Sequence, residues 1–182
     1  METGMTIGRS GRGRGFRLVA GIALLSFTAS VPGRAWAAPH QQPAPGAPPS
    51  PSPGDVVAPF QAEGLDGQIQ HVTYPKGSVT VLLFFLSSCP TCHKMIPEWN
   101  RAYERRPKGI TVVGVLMDQE PPGFFMATPI SFPVVRSPGR QFLQSYKVHR
   151  APVTLRVAGG GRVEDVGIGV VDPIRLGQIM RP

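Results

Sequence analysis

Cysteine is scarce in this chain: Cys89 and Cys92 are the only two among 182 residues. That excludes a scaffold held by several disulfides and a zinc site of four thiolates. Histidine is nearly as sparse. His40, His71, His93 and His149 form no HxxxH pair, and no second CxxC is present to complete a zinc site. Acidic residues are almost missing from the start of the chain, where Glu2 stands alone against Arg9, Arg12, Arg14, Arg17 and Arg34. From Gly54 onward 14 Lys+Arg face 10 Asp+Glu, so only +4 of the formal +8 belongs to the rest of the chain. There the basic residues do not cluster as they do in proteins that track phosphates, and nucleic acid is not an expected partner. No internal repeat is present.

The first residues carry a targeting pattern. Residues 9–17 are basic and glycine-rich, and residues 18–31 are apolar. Pro32-Gly33 and the small-x-small triplet Ala35-Trp36-Ala37 follow. This order matches a cleavable signal peptide over 1–37. The apolar run is shorter than the roughly 20 residues of a membrane-spanning helix, although an uncleaved anchor is the alternative. Neither paired arginines nor a lipid-accepting cysteine is present there. Export by the general secretory route is expected, to a periplasmic or other extracytoplasmic location. Residues 38–53 are rich in Pro, Gln, Ala and Ser and have no apolar periodicity, so they are expected to form a disordered linker. A folded domain is expected over 54–182.

Within that domain, residues 55–63 and 68–73 flank Leu65-Asp66-Gly67 and predict a hairpin. Residues 78–86 are continuously apolar, as a strand buried on both faces would be. Met95, Ile96, Trp99, Ala102 and Tyr103 recur at helical spacing across 90–106, with Pro97 inside as an expected kink. A second buried strand is expected over 110–117 and a short helix over 139–146. Gly159-Gly160-Gly161 joins expected strands at 153–158 and 162–168. A last helix is expected over 172–180. Residues 118–138, rich in Pro, Gly and Phe, give no clear pattern. The order predicts an α/β domain: a central mixed sheet with an N-terminal hairpin and helices on both faces.

Cys89-Pro90-Thr91-Cys92 falls where a buried strand ends and a helix begins. Pro90 suits the first helical turn, where its missing N–H costs nothing. Cys89 then lies beside unpaired amides and the positive end of the helix dipole, an environment that favours a thiolate. The thiolate is the attacking species in disulfide exchange. Cys92, three residues on, faces the same side and can resolve a mixed disulfide. A structural disulfide would close too short a loop to stabilise much. Inert buried cysteines are disfavoured by the strand–helix junction.

These residues carry a resemblance. Residues 81–97, with Cys89-Pro90-Thr91-Cys92 and Pro97 five residues later, resemble the active-site segment of the thioredoxin superfamily. The exported TlpA, ResA and CcmG branch is the most similar. Gly54, Ala58-Pro59-Phe60 and Asp66-Gly67 resemble its opening, and Ala151-Pro152-Val153-Thr154 its cis-proline segment. The resemblance implies a thioredoxin-like thiol–disulfide oxidoreductase with Cys89 and Cys92 as catalytic residues. It implies a cis Ala151–Pro152 bond beside them, presenting main-chain groups to a bound peptide and keeping metals away. Ala151, Pro152, Pro90 and Thr91 are the expected substrate-binding residues. The implied partners are proteins bearing cysteines or disulfides and a membrane electron donor or acceptor. Neither cofactor nor metal is expected, and the protein is expected to be a monomer. Apocytochrome c is the common client in that branch, which extends the expectation to a reductase in cytochrome c maturation.

The chain departs from that branch at three positions. Ser88 replaces the tryptophan often found before the first cysteine, Leu83 the buried aspartate of thioredoxins, and Met95 the glutamate of ResA-like reductases. No buried carboxylate is evident to take the proton of Cys92. Water, His93 and Glu98 are the remaining candidates. The Ser87-Ser88-Cys89-Pro90 wording is also similar to MauD-type accessory proteins, which serve disulfide formation, so the direction of electron flow stays open. His93 is expected at the surface, with tuning of the thiols as the sharper reading. Trp99 and Phe84 are expected in the core. Phe124 and Phe125 pack on the sheet or line a partner groove. Two alternatives have weaker support. A copper chaperone would use Cys89, Cys92 and a histidine, but has no further His or Met at a ligand position. A peroxiredoxin-type peroxidase lacks its Thr or Ser three residues before the reactive cysteine, where Leu86 stands.

Overall fold

A computed structural model describes residues 48–181 of the chain. The leader expected over 1–37 and most of the expected linker lie outside the described residues.

The apolar run forms β3 (Val79–Phe85), and Val81 to Phe85 have no exposed surface. Its position explains why both faces are apolar. Together with β4 (Ile110–Leu116), β5 (Val134–Arg136), β6 (Val153–Ala158) and β7 (Val163–Ile168) it forms one sheet. The strand order is β5-β4-β3-β6-β7, with β3 in the centre. β4 runs parallel to β3 and β6 antiparallel, so the sheet is mixed. Alternate residues of β3 point to opposite faces. Val81, Leu83 and Phe85 join Met95, Trp99 and Leu176 in one apolar cluster. Leu82 and Phe84 join Tyr146, Val148 and Leu155 in the other. The first cluster is covered by α1 (Pro90–Arg105) and α4 (Pro173–Ile179), while aromatic residues of and beside α3 (Arg140–Ser145) pack on the second.

The expected hairpin is present as β1 (Phe60–Glu63) and β2 (Ile69–Val72), which form their own two-stranded sheet. An isolated bridge from Gly64 to Val135 links it to β5. Residues 118–138 hold two elements that the pattern did not reveal: a single helical turn, α2 (Phe124–Ala127), and the edge strand β5. Three residues are too few to show a period, and Pro133 precedes them. β5 is specified by its parallel pairing with β4 instead.

Close approach requires glycine at Gly114 and Gly161, among other positions. A Cβ on Gly114 in β4 would lie 2.7 Å from the Phe132 ring. At Gly161 (φ +84°) it would lie 2.1 Å from the Val57 carbonyl oxygen, where the incoming N-terminal segment crosses the β6–β7 turn. Val57 N–H donates to the Gly161 carbonyl there (2.8 Å).

Candidate active site

α1 begins directly after β3, and Cys89 is its N-cap residue in extended conformation (φ −91°, ψ 112°). Pro90 occupies the first helical turn, as its geometry suits. The Cys89 Sγ replaces the usual capping oxygen and accepts the Cys92 N–H at 3.1 Å. An N–H donor at a helix N-terminus is aimed where negative charge would sit on an attacking sulfur. Cys89 is partly exposed and Cys92 has no exposed surface; both are free thiols. One thiol thus faces solvent and the other stands behind it.

Burial pushes the Cys92 thiol up to about 12. Its contact with Cys89 and the nearby Asp118 charge act in the same direction. Cys92 lies in the apolar cluster with Leu83, Met95, Ile96 and Trp99. Leu83 and Met95 thus bring hydrocarbon and thioether, and no carboxylate, to this cluster. Met95 has its own role: its Sδ accepts the Val171 N–H at 3.4 Å. Glu98 pairs with Arg101 and lines a groove between α1 and α4.

The Ala151–Pro152 bond is cis. The Ala151 carbonyl lies 3.9 Å from the Cys89 Sγ and accepts from its thiol. Ala151 is partly exposed while Pro152 is buried, so the main chain of this segment reaches the surface beside Cys89. Pro90 is exposed and Thr91 half-buried. All six expected site residues therefore belong to one region. One rung further along β6, Thr154 Oγ1 accepts the Trp99 indole N–H at 3.1 Å, tying the cis-proline strand to α1.

Asp118 was missed by sequence reasoning. It follows β4 and reaches across to the loop before Cys89. Its Oδ1 accepts the Ser87 N–H at 2.8 Å, and its Oδ2 accepts the Ser87 Oγ–H at 3.0 Å. Oδ2 also accepts Ser88 N–H at 3.3 Å and Ser88 Oγ–H at 3.2 Å. On the other side the exposed His93 donates Nε2–H to the Ser87 carbonyl at 2.7 Å, since a carbonyl can only accept. The available signal was topological. Sites in α/β sheets gather at the carboxyl ends of parallel strands, and Asp118 stands at that end of β4. His93 also packs on Phe124, with ring centroids 5.9 Å apart. Phe124 is buried and Phe125 half-buried, and His149 is exposed. No group of three His, Cys, Asp or Glu side chains able to hold a metal is present among the described residues.

A family model described as Redoxin matches residues 52–175. Sporulation thiol-disulfide oxidoreductase A of Bacillus subtilis is 29% identical over 156 residues, covering 81% of this chain and 86% of that protein. Thiol-disulfide oxidoreductase ResA of the same organism is 27% identical over 124 residues, covering 66% and 69%. Among solved structures, StoA from Bacillus subtilis superimposes with a TM-score of 0.59 at 23% identity, covering 67% of this chain and 96% of StoA. The MTB dsbF structure gives 0.58 at 26% identity, covering 66% and 92%.

Proposed function

From the premise that the chain belongs to the Redoxin family and is a thioredoxin-like thiol–disulfide oxidoreductase, we propose that Cys89 and Cys92 are its reacting pair. The carrying observation is the asymmetry of the two thiols. One is partly exposed with a helix-terminal N–H on its sulfur; the other is buried behind it. The Cys89 thiolate attacks one sulfur of a client disulfide. A Cys89–client disulfide forms and the client's other sulfur leaves as a thiolate. Cys92 then loses its proton and attacks the Cys89 Sγ. The Cys89–Cys92 bond forms, and the released client thiolate takes up a proton. Two electrons have passed from the dithiol to the client. Run backwards, the same steps oxidise a client dithiol.

The surface around Cys89 supports protein clients. Pro90, Thr91 and the partly exposed Ala151 main chain offer an extended peptide both contact and hydrogen bonding, with Pro152 as the buried support. The basic, apolar, small-x-small leader supports export, and the proline-rich residues 38–53 a linker ahead of the domain at 54–182. Outside the cytoplasm the pair needs a membrane donor to stay reduced, or an acceptor to stay oxidised. Among the described residues no helix is long and apolar enough to cross a membrane.

Replacement of Cys92 by Ser should trap clients as mixed disulfides on Cys89, and Cys89→Ser should trap none and lose insulin reduction. Insulin reduction by Cys89→Ser at the unmodified rate would falsify the assignment. A glutathione redox titration then sets direction. A strongly reducing midpoint places the protein among reductases, with apocytochrome c cysteines as the client class to test; a midpoint near known oxidants places it in disulfide formation.

A further inference from the structure

The reading of Cys89 and Cys92 as a redox pair leaves Asp118 without a role, although it makes four hydrogen bonds to the two residues before Cys89. We propose that Asp118 is a positioning residue of this site: its carboxylate clamps the Ser87–Ser88 loop that delivers Cys89 and places a fixed negative charge beside the thiol pair, making the pair more reducing.

The geometry supplies both halves. Ser87 and Ser88 give Asp118 their two amides and two hydroxyls. Four donors to one carboxylate hold it in place against the loop. His93 holds the same loop from the opposite side through the Ser87 carbonyl. The Cys89 N–H closes the turn on the Leu86 carbonyl at 3.3 Å. The loop therefore has little freedom to move Cys89 relative to Asp118.

The sign of the charge effect follows from the redox chemistry. The disulfide is neutral, whereas the reduced pair carries negative charge whenever a thiol ionises. A fixed anion close by raises the energy of the reduced state and leaves the oxidised state unaffected. The other charged or titratable groups near the pair are few. His93 on α1 bonds the same loop, and Lys94 beside it is exposed. His149 and Arg150, just before Ala151, are exposed. Glu120, two residues past Asp118, is paired with Arg136. Among the described residues no carboxylate joins the cluster around Cys92, where Leu83 and Met95 stand. Asp118 is then the acid left to tune them.

The test is a glutathione titration of the full chain at pH 8, with thermal melting as the folding control. The unmodified protein should show a reversible two-electron transition; a chain with none defeats the redox-pair reading itself, and this inference with it. Asp118→Asn keeps the size and should shift the equilibrium constant about fivefold or more toward the dithiol. The shift should grow as the pH is raised. Ser88→Ala removes a donor but keeps the charge, so its equilibrium should stay put or move toward the disulfide. A change under about twofold in Asp118→Asn overturns the inference while leaving the redox pair intact. So does a Ser88→Ala shift toward the dithiol, which would reduce the clamp to mere structure. If Asp118→Asn does not fold, Asp118→Ser removes the same charge and is read by the same fold-changes.

Discussion

Cys92 carries the clearest chemical consequence at the scale of a single residue. Its thiol is held up at about 12 by burial, so at neutral pH it is protonated. Iodoacetamide at pH 7 should therefore label Cys89 and spare Cys92 in the reduced protein. Peptide mass mapping reads this directly, and equal labelling of both would contradict the burial. The same proton must leave during resolution, so breakdown of the mixed disulfide should accelerate as pH rises toward that value. Of the acceptors that the sequence left open, Glu98 is engaged with Arg101 on α1, while His93 reaches the loop before Cys89. The two cysteines were legible because chemistry fixes their spacing and neighbours, and Pro152 through the resemblance of residues 151–154 to a cis-proline segment. Asp118 was not, because its partners lie about thirty residues back in sequence. Only the pairing of β4 with β3 brings them together.

Elements were legible where their length let a period show. β3, α1, β4, β6, β7 and α4 all carry enough apolar residues to reveal a face or a fully buried core. β5 and α2 are three and four residues long and depend on what they pack against. Gly114 marks one such dependence: Phe132 fills the space beside β4 that a side chain would need. Gly114→Ala should cost about 1–3 kcal/mol through overpacking, measured by urea denaturation. A second coupling joins α1 to β6 through the buried Trp99–Thr154 hydrogen bond. Thr154→Val leaves the indole N–H unpaired in the core and should cost about 1–3 kcal/mol. Adding Trp99→Phe removes the stranded donor, so the double variant should lose less than the sum of the two single losses. Strict additivity would show that the two side chains do not interact.

At the largest scale the described domain is closed by residues 54–58, ahead of β1. Gly54 N–H donates to the Val163 carbonyl, Lys147 pairs with Asp55, and Tyr146 OH donates to the Ala58 carbonyl. Tyr74 OH must then donate to Tyr146 OH, 2.6 Å away, since the Tyr146 proton is already used. Burial pushes both phenols up, Tyr146 to about 12. These phenols and Cys92 share one linkage sign. Each group has a folded pKa above its unfolded one, so the folded state holds the proton longer than the unfolded chain does. Stability is unaffected below the unfolded value and falls as pH rises from there toward the folded value. For Cys92 that window opens near 9 and runs to about 12. The phenols add to the loss above about 10. Oxidation removes the Cys92 proton and its contribution, but leaves the phenols unchanged. The reduced protein should therefore lose stability faster than the oxidised protein between pH 9 and 10. Urea midpoints of the two redox forms across that interval measure it. Parallel curves would mean that Cys92 ionises as readily in the folded chain as in the unfolded one.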